Sequence, residues 1–215
     1  VHDYRFKEAI AEPGPLPVRT IMLDDSLDDL FFDHEYDIIL GASRSSPKGQ
    51  VIHLGVGRKI AALDKAGMPH LGSGITWERR DADGKAHRVM ASPNPKEGLI
   101  SVIDMKTWRT IKTISALGPG FSLRSHENSP YVWANVFSGP NKDVIHVIDK
   151  QTLEIVATLR PEPGKTSTHV EFDRRGKYAL VSIPEMDGTL VVYDARTLKE
   201  IKRLPMKRAA GKHNV

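Results

Sequence analysis

Val102-Ile103-Asp104-Met-Lys-Thr-Trp-Arg-Thr-Ile-Lys-Thr-Ile114 returns 45 residues later as Val147-Ile148-Asp149-Lys-Gln-Thr-Leu-Glu-Ile-Val-Ala-Thr-Leu159. It returns after another 45 as Val192-Tyr193-Asp194-Ala-Arg-Thr-Leu-Lys-Glu-Ile-Lys-Arg-Leu204. A fainter copy, Val51-Ile-His-Leu-Gly-Val-Gly-Arg-Lys-Ile-Ala-Ala-Leu63, stands upstream. A period of about 40–50 residues made of short alternating segments is the mark of propeller blades. The unit that holds the last copy divides into Thr168–Phe172, Tyr178–Ile183, Thr189–Tyr193 and Glu200–Leu204. Turn-forming Asp173-Arg-Arg-Gly176, Met186-Asp-Gly188 and Asp194-Ala-Arg-Thr197 separate these four strands.

Working outward, the unit before it gives strands at Gly120–Arg124, Tyr131–Val136, Asp143–Ile148 and Glu154–Leu159. The one before that gives Leu71–Trp77, His87–Ala91, Leu99–Ile103 and Arg109–Ile114, with a polar insertion at Glu78–Lys85. The first gives Arg19–Leu23, Asp37–Gly41, Gln50–Leu54 and Lys59–Leu63. No stretch of ten residues keeps a helical period. The fold class is therefore all-β, a β-propeller of four blades at approximately 15–66, 67–116, 117–161 and 162–206. A closed four-bladed ring is one arrangement. Half of a larger ring is preferred, because both ends of the sequence fall in mid-pattern and an open half would expose unpaired surface.

Composition narrows the function. Of 215 residues, 40% are apolar and 27% charged, which fits a folded chain and not a disordered one. The net charge of +4 is local: residues 196–215 hold seven basic residues and one acid, leaving about −2 elsewhere. A basic tail is not the basic face that phosphate binding needs, so no nucleic-acid partner is expected. The sequence has no Cys, which excludes disulfides, thiolate metal sites, a Cys nucleophile and a covalently attached c-type haem. No apolar run reaches the ~20 residues that cross a bilayer, so no membrane partner is expected. Without a leader or an initial Met, the chain reads as a piece of something longer.

In a propeller, the loop entering the first strand of each blade lies at one mouth of the central channel. The four entering loops are Gly14-Pro-Leu-Pro17, Ala66-Gly-Met-Pro-His70, Leu117-Gly-Pro-Gly120 and Pro161-Glu-Pro-Gly-Lys165. Polar residues on or beside them are expected to converge there: His70, Ser73, Arg124, His126, Lys165 and His169. Three imidazoles and two cations near one axis suit an anionic, metal-containing ligand. The competing reading of His169 is a backbone tie, and of Arg124 and His126 solvated loop residues. His34, His53, His87, His146 and His213 fall in turns or outer strands and read as structural or exposed. Asp24, Asp25, Asp28 and Asp29 read as a solvated loop, without the spacing of a calcium loop.

Gly67-Met-Pro-His-Leu-Gly-Ser-Gly74, Leu123-Arg-Ser-His126, the Val-Ile-Asp blades and Gly211-Lys-His-Asn-Val215 together resemble the haem d1 domain of the cytochrome cd1 nitrite reductase family. They resemble most the haem d1 maturation branch, which includes dihydro-haem d1 dehydrogenases. The resemblance covers the whole chain but only the second half of an eight-bladed domain. It implies a periplasmic, haem d1-dependent oxidoreductase of denitrification, with haem d1 or dihydro-haem d1 as cofactor or substrate. The missing N-terminal blades, and a cytochrome c domain outside this chain, would be its partners, and a homodimer is a further assembly it allows.

By the same resemblance His70 faces the haem from the distal side, where it would ligate the iron or move protons, and His70 or His126 would be the base that takes the proton. Ser73, Arg124, Lys165 and His169 would hold the cofactor, the two cations gripping carboxylates of its rim. Nitrite reductases carry a second distal histidine in a Leu-His-Asp segment one blade earlier. Here Leu27-Asp28-Asp29-Leu-Phe-Phe-Asp33 aligns with that segment and puts Asp28 in its place. A carboxylate there opposes nitrite, and the maturation reading takes precedence over nitrite reduction. A non-catalytic propeller scaffold is the rival from another class.

Overall fold

The computed structural model describes residues 18–64 and 69–210. These form four antiparallel four-stranded sheets, each ordered as in the sequence. The first holds β1 (Asp29–Phe32), β2 (Ile38–Ala42), β3 (Gly49–His53) and β4 (Arg58–Leu63). The second holds β5 (Ile75–Arg80), β6 (Ala86–Pro93), β7 (Leu99–Asp104) and β8 (Thr110–Ser115), preceded by a 3₁₀ turn at Leu71–Ser73. The third holds β9 (Leu123–Ser125), β10 (Tyr131–Asn135), β11 (Ile145–Asp149) and β12 (Ile155–Leu159). The fourth holds β13 (Val170–Phe172), β14 (Tyr178–Ile183), β15 (Thr189–Asp194) and β16 (Glu200–Pro205).

The repeat is a turn as much as a strand. Asp104, Asp149 and Asp194 each end a third strand, and each carboxylate accepts the N–H groups two and three residues ahead at 2.7–3.1 Å. The residue four ahead donates to the aspartate carbonyl and sits in the left-handed region: Trp108 at φ 59°, Leu153 at 60° and Leu198 at 60°. Each pairing shifts register just before the aspartate. The faint first copy has the same shape, with His53 for the aspartate and Gly57 at φ 77°.

Side chains alternate along each strand, and the two faces of a blade bury against different neighbours. Val89, Ala91, Ile100 and Val102 pack with Leu123, Val132, Ala134 and Ile148 of the third blade. Met90 and Ile103 turn the other way, onto Leu40, Ala42, Val51 and Leu63 of the first. Trp133, Ile145 and Val147 meet Val170, Val181, Val191 and Tyr193 of the fourth. Val-Ile is thus a pair of addresses, Val to the next blade and Ile to the previous one. The first strands face one another at the centre, with β9 lying against both β5 and β13.

Two sequence expectations need correction. The first strand of the first blade is β1 (Asp29–Phe32), not Arg19–Leu23. Asp33 fixes the β1–β2 turn by accepting the N–H groups of Asp37 and Ile38, both at 2.9 Å, while the Arg19 guanidinium instead caps the Leu54 and Gly55 carbonyls of the β3–β4 turn. Glu78–Lys85 does not interrupt the blade: β5 runs on to Arg80, and the Asp81 carboxylate closes the turn to β6 on the N–H groups of Asp83 and Lys85. The entering loop at 14–17, Ala66-Gly67-Met68, and the 211–215 segment with His213 lie outside the described residues.

Candidate functional site

Antiparallel order decides which end of a blade each residue occupies. The entering loops share one mouth with the β2–β3, β6–β7, β10–β11 and β14–β15 turns. The β1–β2, β5–β6, β9–β10 and β13–β14 turns lie at the other.

His70 stands at the first mouth. Its N–H donates to the Pro93 carbonyl at the end of β6, at 2.8 Å, and its own carbonyl accepts the Ser73 N–H at 3.2 Å. Pro93, the loop and the 3₁₀ turn therefore hold it rigidly. Its Nδ1 lies 2.8 Å from Asp29 Oδ2, and its ring rests 4.4 Å from the ring of Phe121. Phe121 in turn lies 5.1 Å from Phe137, and both phenyl rings are partly exposed. A cavity of about 450 Å³ opens here, lined by His70, Phe121, Asp28, Asp29, Arg44 and Lys96. Asp28 accepts the Arg44 N–H at 2.6 Å. Burial pushes the Asp29 carboxyl upward most strongly. The hydrogen bond and charge of His70, with the N–H groups of Gly72 and Leu30, together outweigh it and hold it below the usual carboxylate range.

The other expected site residues fall in different places. Ser73 shares the His70 loop and is buried. His169 precedes β13 at the same mouth, where its carbonyl accepts the Ser182 N–H at 2.9 Å. Lys165 is at that mouth too, but over the middle of the fourth blade, its ammonium 2.8 Å from Asp187 Oδ2. Arg124 lies on β9, its Nε 3.3 Å from Glu171 Oε1 on β13, joining two inner strands.

The expected convergence fails for His126. It sits in the β9–β10 turn at the opposite mouth, because it follows β9, which starts from the entering loop and ends at Ser125. There its Nδ1 accepts the Asn128 N–H at 3.1 Å, and its carbonyl accepts the Lys150 ammonium at 2.8 Å. It borders a separate cleft of about 930 Å³ between the second and third blades.

Sequence reasoning missed Asp29, Arg44, Lys96 and the Phe121–Phe137 pair. Asp29 was hidden in an acidic run, although its place at the start of an inner strand is a usable signal. Arg44 and Lys96 lie in turns whose approach to His70 is purely tertiary. His87 and His146 prove structural. His87 bridges Asp81 and Asp104 at 2.9 and 3.1 Å. Buried His146 accepts the Leu117 N–H at Nε2 and faces Thr158 Oγ1 at Nδ1, with burial lowering its pKa.

Among the described residues no three His, Cys, Asp or Glu side chains cluster to hold a bare metal ion. One imidazole as a single axial donor, beside an exposed aromatic pair that can stack on a flat ring, is compatible with an iron already held in a macrocycle. The His70 cavity fits such a group.

Known proteins agree with this architecture. The chain is 50% identical over 205 residues to dihydro-heme d1 dehydrogenase of Pseudomonas aeruginosa, covering 95% of this chain and 41% of that relative. It thus spans about two fifths of that relative's length. The solved structure of dihydro-heme d1 dehydrogenase NirN in complex with DHE superposes with a TM-score of 0.86 at 50% identity, over 93% of this chain and 42% of that one. The Cps50 (Swd1) beta-propeller domain of Myceliophteria thermophila superposes with a TM-score of 0.61 at 14% identity, over 85% of this chain and 56% of that one, which identifies the sheets as propeller blades. The model of the cytochrome D1 heme domain matches residues 10–215, end to end across all four blades. A partial propeller with this repeat, this His70 loop and this match belongs to the cytochrome D1 heme domain family.

Proposed function

We propose that the chain is the second half of an eight-bladed, haem d1-type propeller, its blades bounded approximately at 15–66, 67–116, 117–161 and 162–206. In our reading it acts in haem d1 maturation, as part of a periplasmic enzyme that dehydrogenates dihydro-haem d1. The observation that carries this reading is His70, fixed between Asp29 and Phe121 at the mouth of a propeller 50% identical to a dihydro-heme d1 dehydrogenase. No helix among the described residues is long and apolar enough to cross a membrane.

When bound, the macrocycle supplies the redox chemistry: a propionate side chain loses two electrons and two protons to become an acrylate, the electrons leaving for an acceptor outside this chain. His70 offers a ring nitrogen to the iron or takes a proton beside it. Phe121 and Phe137 give the flat ring an apolar seat. Arg44 and Lys96, exposed beside the cavity, are better placed to pair with rim carboxylates than Arg124 and Lys165, whose charges Glu171 and Asp187 already meet. Ser73 and His169 shape the same mouth. His126, at the other, is left outside the reaction.

Asp28 separates this reading from nitrite reduction. Its carboxylate lines the His70 cavity. A negative charge there opposes an incoming nitrite anion more than the neutral or cationic histidine it replaces. Full-length protein given dihydro-haem d1 and an electron acceptor is expected to produce the absorption spectrum of haem d1, and to turn over nitrite poorly. Fast nitrite turnover with no conversion of dihydro-haem d1 would overturn the assignment.

A further inference from the structure

We infer that Asp29 is the positioning residue of this site: it locks His70 in the Nδ1–H tautomer, so that Nε2 is the lone-pair nitrogen offered to a ligand. The use made of Nε2 rests on the function proposed above, whereas the tautomer does not.

Asp29 and His70 are 41 residues apart and belong to different blades. Asp29 opens β1, the inner strand of the first blade, and His70 leads into the inner strand of the second. Both carboxylate oxygens are engaged. Oδ2 faces His70 Nδ1 at 2.8 Å, and Oδ1 accepts the N–H groups of Leu30 at 2.9 Å and Gly72 at 3.2 Å. The carboxylate is thus fixed from its own strand and from the loop that carries His70. Gly72 is small for the same reason: a Cβ there would stand 3.0 Å from Asp29 Oδ1 and 3.4 Å from the Leu30 carbonyl.

An ionised carboxylate can only accept hydrogen bonds, so the imidazole nitrogen facing it must carry the proton. In the neutral ring the lone pair then lies on Nε2. Phe121, 4.4 Å away, blocks the ring from swinging off this bond. The other charged groups at the cavity do not compete for Nδ1. Asp28 is taken by the Arg44 N–H, and Arg44 and Lys96 are donors. A carboxylate on the far nitrogen of a metal-binding imidazole orients the ring and raises its basicity, and losing such a partner commonly weakens binding 10- to 100-fold.

The tautomer is read directly in ligand-free, full-length protein labelled with 15N-histidine, at a pH where His70 is neutral. Long-range 1H–15N spectra should show a protonated Nδ1 and a bare Nε2. Asp29→Ala should move the proton to Nε2, whereas Asp29→Asn should hold it on Nδ1 through the amide oxygen. In haem d1-loaded protein, Asp29→Asn should shift the iron midpoint potential upward, since a neutral partner donates less charge, and Asp29→Glu should restore part of it. A wild-type Nε2–H tautomer would overturn the inference, as would an Asp29→Ala spectrum unchanged from wild type. Should Asp29→Ala not fold, the wild-type tautomer and the Asn and Glu potentials decide. Failure to bind haem d1 with the Nδ1–H tautomer intact would refute the function proposed above and leave the role of Asp29 standing.

Discussion

His70 and His146 show how the same side chain takes opposite roles within one fold. His70 is partly buried at a mouth, with a carboxylate on one nitrogen. His146 is 2% exposed inside the third blade, with an amide donor on Nε2 and a hydroxyl on Nδ1. Because burial lowers its pKa, His146 stays neutral in the folded chain while the unfolded chain takes up a proton near its ordinary value of about 6.5. Its contribution is therefore complete above that pH and is lost as pH falls toward the folded value. Chemical denaturation at pH 7 and pH 5.5 should show lower stability at pH 5.5, and His146→Gln should flatten the difference. Asp29 and Asp104, both held below their usual range, act in a separate window. Their stabilisation is present above about pH 3.9 and is lost as pH falls through their lower folded values. Residue type alone did not distinguish these roles in the sequence. The motif around His70 did mark it, but its partner Asp29 looked like one more acid in a polar run.

At the scale of the element, periodicity was legible wherever the chain obeys it locally. The last three blades keep a 45-residue spacing because each closes with the same aspartate turn, whose bonds span only five residues. The first blade hid its inner strand because Asp28-Asp29 precede Leu30-Phe31-Phe32, and only pairing with β2 makes that segment a strand. His126 was misplaced for a different reason: it follows β9, and a residue past the end of a blade's inner strand lies at the mouth opposite the entering loop. The turn itself can be tested at Asp104, whose carboxylate meets the N–H groups of Lys106 and Thr107, the Thr107 hydroxyl and His87. Removing it strands turn donors at a mostly buried site, so Asp104→Ala should cost about 2 kcal/mol in denaturant unfolding. Asp194→Ala, in the equivalent but exposed turn, should cost less.

Across the whole molecule, the blades are not equivalent, and the difference lies in which faces are covered. Val102 and Val147 are fully buried against the next blade, but their counterpart Val192 is only half-buried, as are Leu180 and Leu190 beside it. Among the described residues no fifth blade covers that face. If further blades complete the ring, Val192→Ala in the full-length protein should cost as much as Val102→Ala, about 2 kcal/mol by lost burial and cavity. A near-zero cost measured by thermal unfolding would instead leave that face open to solvent. Ring closure was beyond the sequence because it depends on surface that this chain presents but does not itself bury. The central claim, that the His70 mouth seats a d1-type macrocycle, is tested most directly by the structure of the full-length protein with dihydro-haem d1 bound. Iron facing His70 Nε2, with the ring over Phe121 and its carboxylates toward Arg44 and Lys96, is the result predicted. A macrocycle bound at the opposite mouth, beside His126 and Lys150, would contradict it.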